Sequence, residues 1–171
     1  MGKEIERKFL VKGEEWKRGA KGTVYRQGYL SSAKERVVRV RTIEDKGFLT
    51  IKGITKGVSR SEFEYEISAE DAGIMLDGIC EKPLIEKKRY KVPVGGLVFE
   101  VDEFFGENAG LVVAEIELDA TDEAFAKPDW AGPEATHAQR YYNLALASRP
   151  FSQWREDERQ ALDLKDEYGC C

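Results

Sequence analysis

The stretch EIERKFLV, residues 4–11, alternates charged and apolar side chains. In a β-strand, Glu4, Glu6 and Lys8 point to one face, and the residues between them point to the other. The same stretch has no apolar stripe at helical spacing, which favours the strand. One face of this strand therefore carries two carboxylates and an ammonium group. They form either a solvated face or part of a site, and the rest of the chain must distinguish the two.

The same period of two recurs in seven further segments. Turn signals such as PVGG at 93–96 separate neighbouring segments and favour antiparallel hairpins. The eight predicted strands are residues 4–11, 23–30, 36–43, 47–53, 60–67, 85–92, 97–104 and 111–118. Eight antiparallel strands can close into a barrel whose interior holds side chains or one small ligand. The sequence predicts a mainly β (α+β) fold, an eight-stranded antiparallel closed β-barrel with a few flanking helices.

Helical spacing appears in three places. A helix is predicted over 68–80, because residues 68–71 resemble a capping box and apolar residues then follow at helical spacing. Two further helices are predicted, one from Thr121 to the residue before Pro128 and one over 135–147. These helices need an apolar surface on which to pack, and the aliphatic face of the sheet could supply it.

The composition is that of a folded protein with nearly balanced charge. Of its 171 residues, 42% are hydrophobic and 35% are charged, and the net charge is -5. The apolar content argues against disorder, and the small net charge argues against a generic nucleic-acid binder. One domain over 1–150 is expected, followed by a charged C-terminal tail over 151–171.

The location expected from the sequence is cytoplasmic. No apolar run approaches the roughly 18 residues of a membrane helix, and no secretory signal is recognised at the start. Cys80 lies in an apolar helical pattern and is predicted to be a buried thiol, whereas Cys170 and Cys171 receive no function. This cysteine usage indicates a reducing compartment.

The charges are sorted by strand. Arg39 with Arg41, and Lys87 with Arg89, are paired cations, whereas several other strands carry paired carboxylates. Like charges two residues apart on one face repel, so they gain stability only if opposite charges lie between them. For any single strand, the alternative is that its charged residues lie on an ordinary solvent-exposed face of the sheet. The whole set favours charged faces that turn inward and line a hydrophilic tunnel.

Such a tunnel would suit a polyanion and a metal. Arginine forks match phosphate oxygens, and clustered carboxylates bind a hard divalent cation together with substrate phosphates. Together these groups describe a phosphoryl-transfer site. The chain lacks the G-x-x-x-x-G-K-[ST] pattern, which excludes a P-loop enzyme. Its single histidine, His137, is predicted to be a surface helix residue.

The pattern E-x-E-x-K at residues 4–8 is followed in order by YRQGYL, VRVR, TIKG, SRSEFEYEI, IEKKRY, VDEFFGENAGL and VAEIEL. Over residues 2–150 these segments resemble the CYTH proteins, also called triphosphate tunnel metalloenzymes, and the chain is similar to a bacterial, single-domain member. The helix that contains RYYNLALA resembles one that plugs a tunnel mouth. E-x-E-x-K alone is a common pattern, but in order with the later strands it is specific.

The resemblance implies an eight-stranded tunnel and metal-dependent chemistry at a triphosphate, with Mg²⁺ or Mn²⁺ as the metal. The implied metal ligands are Glu4, Glu6, Asp102, Glu115 and Glu117. The implied phosphate-binding residues are Lys8, Arg39, Arg41, Lys52, Arg60, Lys87, Arg89 and Arg140. The attacking water is expected to be positioned by a second metal or by a carboxylate, Glu62 or Glu64. Lys52 or Lys87 is expected to neutralise the leaving pyrophosphate.

Members of this family differ in substrate, and the phosphate-binding residues do not separate them. Inorganic triphosphate (tripolyphosphate) is favoured, because Tyr25, Tyr29 and Trp16 are expected to pack rather than to bind a base or a thiazole. The alternatives are a thiamine-triphosphatase, a class IV-type adenylyl cyclase, a nucleoside triphosphatase, an enzyme acting on RNA ends, or a non-enzymatic polyphosphate-binding module. No membrane and no sequence-specific nucleic acid is expected as a partner. The oligomeric state stays open, with a homodimer as one option.

Overall fold

The computed structural model describes residues 5–54, 56 and 60–160. Its strands are β1 (Ile5–Val11), β2 (Gly22–Ser31), β3 (Arg36–Ile43), β4 (Lys46–Gly53), β5 (Glu62–Ile67), β6 (Ile85–Val94), β7 (Leu97–Phe104), β8 (Val112–Leu118) and β9 (Ala131–Glu134). The α-helices are α1 (Ala69–Gly78), α2 (Asn143–Ser148) and α3 (Glu156–Gln160). Short 3-10 helices occupy Glu15–Lys17, Gly106–Asn108, Gln139–Tyr141 and Phe151–Gln153.

All nine strands belong to one antiparallel sheet with the order β5-β4-β3-β2-β6-β7-β8-β1-β9. The predicted mainly β, antiparallel fold is confirmed. Two details differ from the prediction of a closed eight-stranded barrel. A short ninth strand is present, and within the described ranges no ladder joins β5 to the opposite edge. Strand β9 instead pairs with β1, where Phe9 lies opposite Glu134, and thereby occupies the edge that closure would use.

The apolar face of the sheet is its outer face. Phe9, Phe99 and Ile116, which come from β1, β7 and β8, are buried under Trp16 and Trp130. The rings of Phe99 and Trp130 meet edge to face, with centroids 5.3 Å apart. Because successive side chains of a strand point to opposite faces, the charged residues between these apolar ones lie on the inner face. The prediction that the charged faces turn inward is therefore confirmed for these strands.

Helix α1 covers the outer face of β2, β3 and β4. Ser68 caps its start, because its Oγ accepts a hydrogen bond of 3.0 Å from the backbone N–H of Asp71. Leu76 is fully buried against Val40. Cys80, just beyond the helix, is buried in the same cluster, as the sequence predicts. The helix thus completes the apolar outer layer.

The C-terminal plug, defined as residues 135–154, closes one end of the inner face with apolar side chains. Leu146, Tyr141 and Trp154 pack there against strand residues such as Leu10 and Ile85. Leu10 shares a face with Lys8, and Ile85 shares a face with Lys87, so the inner face changes from charged to apolar along the strands. The plug therefore ends the charged region and shields part of it from water.

Two predicted helices differ from the structure. The helix over 135–147 is reduced to α2, because Ala135 still donates its N–H to the backbone oxygen of Lys8 in β1. No helix follows Thr121, which lies in a turn. There the Glu123 carboxylate accepts a hydrogen bond from the backbone N–H of Asp119, and this local bond competes with helix formation.

The packed part of the chain extends to Trp154. The buried Phe151 donates its backbone N–H to the buried Asn108 side chain at 2.8 Å, and Trp154 is also buried. The segment 161–171, with Cys170 and Cys171, lies outside the described residues. None of the helices in the described ranges is long and apolar enough to span a membrane.

Replacing Leu146 with alanine should test how strongly the plug is held. Leu146 is completely buried, so Leu146→Ala should lower the free energy of unfolding by about 2–5 kcal/mol, measured by urea unfolding. Ile74→Ala on α1 is the control, because Ile74 is 63% exposed and should change stability by less than about 0.5 kcal/mol. Equal losses for the two variants would contradict a plug that packs into the sheet.

Candidate active site

A cavity of about 530 Å³ occupies the inner face next to the plug. Six of the side chains around it are cationic and three are carboxylates. Its lining residues are Glu6, Lys8, Gln27, Arg39, Arg41, Lys52, Glu62, Lys87, Arg89, Glu115, Thr136, His137, Tyr142 and Asn143. These residues come from seven strands and the plug, which brings together side chains far apart in sequence.

Arg39 and Arg41 form one cationic wall of the cavity. They are two residues apart on β3 and therefore share a face. Arg41 donates to the Glu64 carboxylate at 3.2 Å, and Arg39 donates to the Thr50 hydroxyl at 3.3 Å. The Nε atoms of both arginines are buried and have no acceptor among the described residues. Burial, followed by the charge of Arg41, lowers the pKa of Arg39. The wall thus keeps donor capacity for an anion.

Lys87 and Arg89 form a second cationic wall on β6, and Asp102 on β7 lies behind them. Asp102 accepts one hydrogen bond from Lys87 Nζ at 2.9 Å and two from Arg89, at 2.8 and 2.9 Å. Asp102 is 2% exposed and Lys87 is 3% exposed. Arg89 also contacts Glu100 at 2.6 Å. Asp102, which does not itself line the cavity, therefore holds both cations in position.

Burial and charge compete within this triad. Burial by itself would raise the pKa of Asp102, but Lys87 and the hydrogen bonds from Arg89 outweigh it and lower that pKa. Burial lowers the pKa of Lys87, and the attraction of Asp102 does not fully offset this effect. Burial also opposes the charge of Arg89, yet the hydrogen bonds to Asp102 raise its pKa. Asp102 thus interacts with both cations, and Glu100 adds a second carboxylate at Arg89.

The opposite wall of the cavity is acidic. Glu115 on β8 contacts Lys8 Nζ at 3.1 Å. Among the described residues, directly opposed carboxylates occur twice across neighbouring strands, as Glu6 with Glu117 and as Glu115 with Glu100. An adjoining cavity of about 320 Å³ is lined by Glu6, Leu97, Val98, Glu100, Glu115, Glu117, Asp119 and Glu123. Like charges opposed across a ladder destabilise the sheet, so this wall favours a bound cation.

The donors on the acidic wall fit a hard divalent cation. They are carboxylate oxygens, and Mg²⁺ or Mn²⁺ binds such oxygens together with water and substrate phosphates. Within the described residues, no three His, Cys, Asp or Glu side chains form a ligand group by themselves. Glu4, an expected ligand, lies outside the described residues. The described carboxylates therefore fit a metal that shares its remaining positions with water and phosphate.

A side chamber of about 160 Å³ adjoins the main cavity. Both share Arg39, Lys52 and Asn143 as lining residues. Arg60 lines the chamber and donates to the backbone oxygen of Gly53 at 2.8 Å. Arg60 is thus close to the predicted phosphate-binding residues but does not line the main cavity.

The structure separates the two candidate water-positioning residues. Glu62 lines the main cavity, with Lys52 at 3.9 Å. Glu64 does not line it, and instead accepts hydrogen bonds from Arg41 and from Thr50, the latter at 2.9 Å. Glu62 is therefore the better placed of the pair.

Two other expected site residues, Asp102 and Arg140, lie in unexpected positions, and so does His137, which was not expected in the site. Asp102, an expected metal ligand, lines neither the main cavity nor the adjoining acidic cavity, and cations engage both of its oxygens. Arg140, an expected phosphate ligand, does not line the main cavity either; it stacks on the rings of Tyr141 and Trp154, 5.0 and 5.2 Å from their centroids. His137 is exposed but lines the main cavity, which its prediction as a surface residue did not include.

Besides His137, the sequence analysis missed four lining residues: Gln27, Thr136, Tyr142 and Asn143. Gln27 carried a signal, because it shares the inner face of β2 with two tyrosines and lies between cationic strands. The other three belong to the plug, whose irregular backbone has no period from which an inward direction can be read.

The fold and the site define an antiparallel β-tunnel whose inner face carries opposed basic and acidic walls. The CYTH domain model matches residues 2–147. An inorganic triphosphatase from Acetivibrio thermocellus is 53% identical over 156 residues, which cover 91% of this chain and 100% of that protein. An inorganic triphosphatase from Nitrosomonas europaea is 39% identical over 153 residues, which cover 84% of this chain and 96% of that protein.

The crystal structure of an inorganic triphosphatase has the same fold, with a TM-score of 0.67 at 34% sequence identity, and the match covers 86% of this chain and 95% of that chain. The chain belongs to the CYTH domain family. Triphosphatases of this family are in general metal-dependent.

Asp102→Asn should destabilise the protein, because it leaves two buried cations without their carboxylate. Loss of one partner of a buried ion pair costs about 3–5 kcal/mol, and we expect this loss in urea unfolding at neutral pH. The folded pKa of Asp102 is lowered. Its stabilisation is therefore complete above the unfolded value, about 3.9, and is lost as the pH falls through the folded pKa. The difference between wild type and variant should shrink over that acidic range.

The control for this prediction is Asp77→Asn, because Asp77 pairs with Arg26 at 2.9 Å at an exposed position. It should leave unfolding nearly unchanged at every pH, since exposed ion pairs contribute little. A constant difference between wild type and Asp102→Asn down to the lowest pH would contradict an ionised Asp102 in the folded state.

Proposed function

We propose that this protein hydrolyses inorganic triphosphate with the help of a divalent metal, Mg²⁺ or Mn²⁺. Two relatives that align with most of the chain are inorganic triphosphatases. The observation that carries the proposal is the polarity of the cavity, in which two cationic walls face an acidic one. A linear oligophosphate presents several negative charges over a short length, which the cations would bind, and the carboxylates would hold a divalent metal that neutralises further charge.

The cations would hold the substrate in a stretched position. Arg39 and Arg41 offer guanidinium donors from one wall, and Lys87 and Arg89 offer donors from the other. Because Asp102 holds Lys87 and Arg89 in place, little reorganisation is needed when negative charge develops in the transition state. Most of the acceleration would come from this preorganisation and from positioning.

The carboxylates Glu6, Glu115 and Glu117 would hold the metal, together with Glu4. When bound, the metal neutralises charge on the terminal phosphoryl group and favours attack on its phosphorus. The attacking molecule is water. Its oxygen forms a bond to the terminal phosphorus, and the bond from that phosphorus to the bridging oxygen breaks.

The remaining steps are assigned to residues of this chain. Glu62, which lines the cavity, accepts the proton of the attacking water. The bridging oxygen keeps the electron pair and leaves as part of pyrophosphate. Lys87 neutralises its charge, with Lys52 as the other candidate for this role. Glu64 is assigned to holding Arg41, because its carboxylate is already engaged there.

The inorganic substrate is favoured over thiamine triphosphate, ATP and other nucleotides by the lining of the cavity. Its rings belong to His137 and Tyr142. The Tyr142 ring lies 4.8 Å from Lys8 Nζ, and the Tyr142 hydroxyl donates to the backbone oxygen of Thr136 at 2.6 Å. This ring is thus engaged with the protein, and Trp16 lies in the outer cluster. We also propose a cytoplasmic location, which agrees with the free buried thiol of Cys80.

The test is phosphate release from tripolyphosphate, thiamine triphosphate, ATP and pyrophosphate, each with Mg²⁺ and with Mn²⁺. The proposal expects tripolyphosphate to give the highest kcat/KM and the reaction to stop when the metal is chelated. A dominant signal from ATP, or cyclic AMP as a product, would overturn the choice of substrate. No release from any substrate with either metal would favour a polyphosphate-binding module.

Glu117→Ala should separate hydrolysis from binding. Because Glu117 lies on the acidic wall, its loss should lower kcat by about 10²-fold or more, as for other single electrostatic groups. Tripolyphosphate binding without metal, measured by calorimetry, should persist, since the cations remain. Glu35→Ala, at an exposed position, is the control. A kcat for Glu117→Ala equal to that of the wild type would contradict a role for Glu117 in the active site.

Arg39→Lys should show that fork geometry matters as well as charge. A lysine keeps the charge but cannot make two parallel hydrogen bonds to phosphate, so kcat/KM for tripolyphosphate should fall by about tenfold or more. Arg36 is the matched control, because it is exposed and lies on the other face of the same strand. Equal losses for Arg36→Lys and Arg39→Lys would contradict an inward role for Arg39.

A further inference from the structure

We propose that Gln27 binds the middle phosphoryl group of the substrate and makes the site select three linked phosphates over two. This inference rests on the proposed function. It concerns a residue whose amide is neutral, in a cavity whose other phosphate-binding candidates carry charge.

Gln27 lies between the two cationic walls. Strand β2 is the neighbour of β3 on one side and of β6 on the other. On the β3 side, Gln27 is directly opposite Arg41, and on the β6 side its partner is Ile85, two residues before Lys87. An anion that spans the walls of Arg39 and Arg41 and of Lys87 and Arg89 must cross β2, where Gln27 lines the cavity.

The Gln27 amide has an unused donor. The residue is 2% exposed, and its Nε2 has no hydrogen-bond acceptor among the described residues. Burial raises the pKa of the nearby Tyr29 hydroxyl, and the closeness of Gln27 only partly opposes that rise. No hydrogen bond of acceptable geometry joins the Gln27 Nε2 to Tyr29. Buried donors without partners are rare because they oppose folding. The Nε atoms of Arg39 and Arg41, two residues that line the same cavity, are also buried without a partner among the described residues.

The chemistry of a linear triphosphate matches this arrangement. Each terminal phosphoryl group carries up to two negative charges near neutral pH, as other phosphomonoester-like groups do. The middle group has one ionisable oxygen and therefore carries a single charge. Cations suit the two ends, and a neutral N–H donor suits the middle. Pyrophosphate consists of two terminal groups and has no middle group for Gln27 to bind.

The test compares tripolyphosphate and pyrophosphate binding to wild type and to Gln27→Met, by calorimetry without metal. Methionine has nearly the same length and volume as glutamine but no N–H donor. We expect the Kd for tripolyphosphate to rise about tenfold or more, as for loss of a hydrogen bond to a charged group. The Kd for pyrophosphate should stay nearly constant, so the preference for three phosphates falls by about the same factor.

Kinetics and stability provide two independent readouts. If the contact is equal in the ground and transition states, the KM for tripolyphosphate rises in Gln27→Met while kcat is kept. The ligand-free variant should melt no lower than wild type, since it removes an unsatisfied buried donor. Gln153→Met, at an exposed position in the plug, is the matched control. It should leave the Kd of both ligands unchanged.

The proposal would be overturned if Gln27→Met lost affinity equally for tripolyphosphate and pyrophosphate, or lost affinity for neither. If Gln27→Met does not fold, Gln27→Glu keeps the shape and places a carboxylate at the middle position. It should then weaken tripolyphosphate binding more than pyrophosphate binding, and the opposite order would overturn the proposal. These titrations measure binding and need no turnover. If the wild type releases no phosphate, that result overturns the proposed function alone, and the titrations still test the role of Gln27.

Discussion

The site depends on one set of interactions, the hydrogen bonds of the buried Asp102 carboxylate to Lys87 and Arg89. They hold both cations on the inner face of the sheet. Removing three charged groups from water is costly, and their mutual hydrogen bonds offset part of that cost. Hydrophobic residues of similar size could stabilise the same position as well or better. The arrangement is therefore explained by what it places at the cavity, which is two cations whose directions are fixed. Stability is exchanged here for a preorganised binding surface.

The rest of the fold keeps this charge inside. The outer face buries Phe99 and Ile116 under tryptophans, and α1 covers the neighbouring strands. The plug supplies Leu146 and Trp154 at one end. These apolar contacts leave the inner face as the location for the charged residues between them. Near low-dielectric walls, opposite charges interact more strongly than in water. Under the proposed function, the basic wall would bind the oligophosphate and the acidic wall would hold the metal beside it.

Much of this organisation could be predicted from the sequence, because a strand has a strict period of two. The alternation around Arg39 and Arg41 fixed their common face, and the structure places both on the cavity. Long-range choices were less predictable. Asp102 was expected to bind metal, and only its pairing with Arg89 across β6 and β7 reveals that its oxygens are engaged. Arg140 was expected to bind phosphate, but its guanidinium packs on aromatic rings of the plug.

Barrel closure and the role of Gln27 were beyond the sequence pattern for the same reason. Either β9 or β5 could pair with the free edge of β1. The choice depends on the path of the irregular segment before β9, whose side chains show no periodic pattern. The neutral Gln27 adds nothing to a charge pattern, and its unused donor becomes evident only when its neighbours are known. Local alternation thus predicts faces, whereas partners across strands require the folded structure.

The most direct test of the central claim is a crystal structure of the Glu62→Gln variant with tripolyphosphate and Mn²⁺, with anomalous scattering used to locate the metal. The account predicts phosphoryl groups between the Arg39–Arg41 wall and the Lys87–Arg89 wall. It predicts the anomalous peak at the carboxylates of Glu6, Glu115 and Glu117. Tripolyphosphate on the outer face, or a metal bound away from these carboxylates, would contradict it.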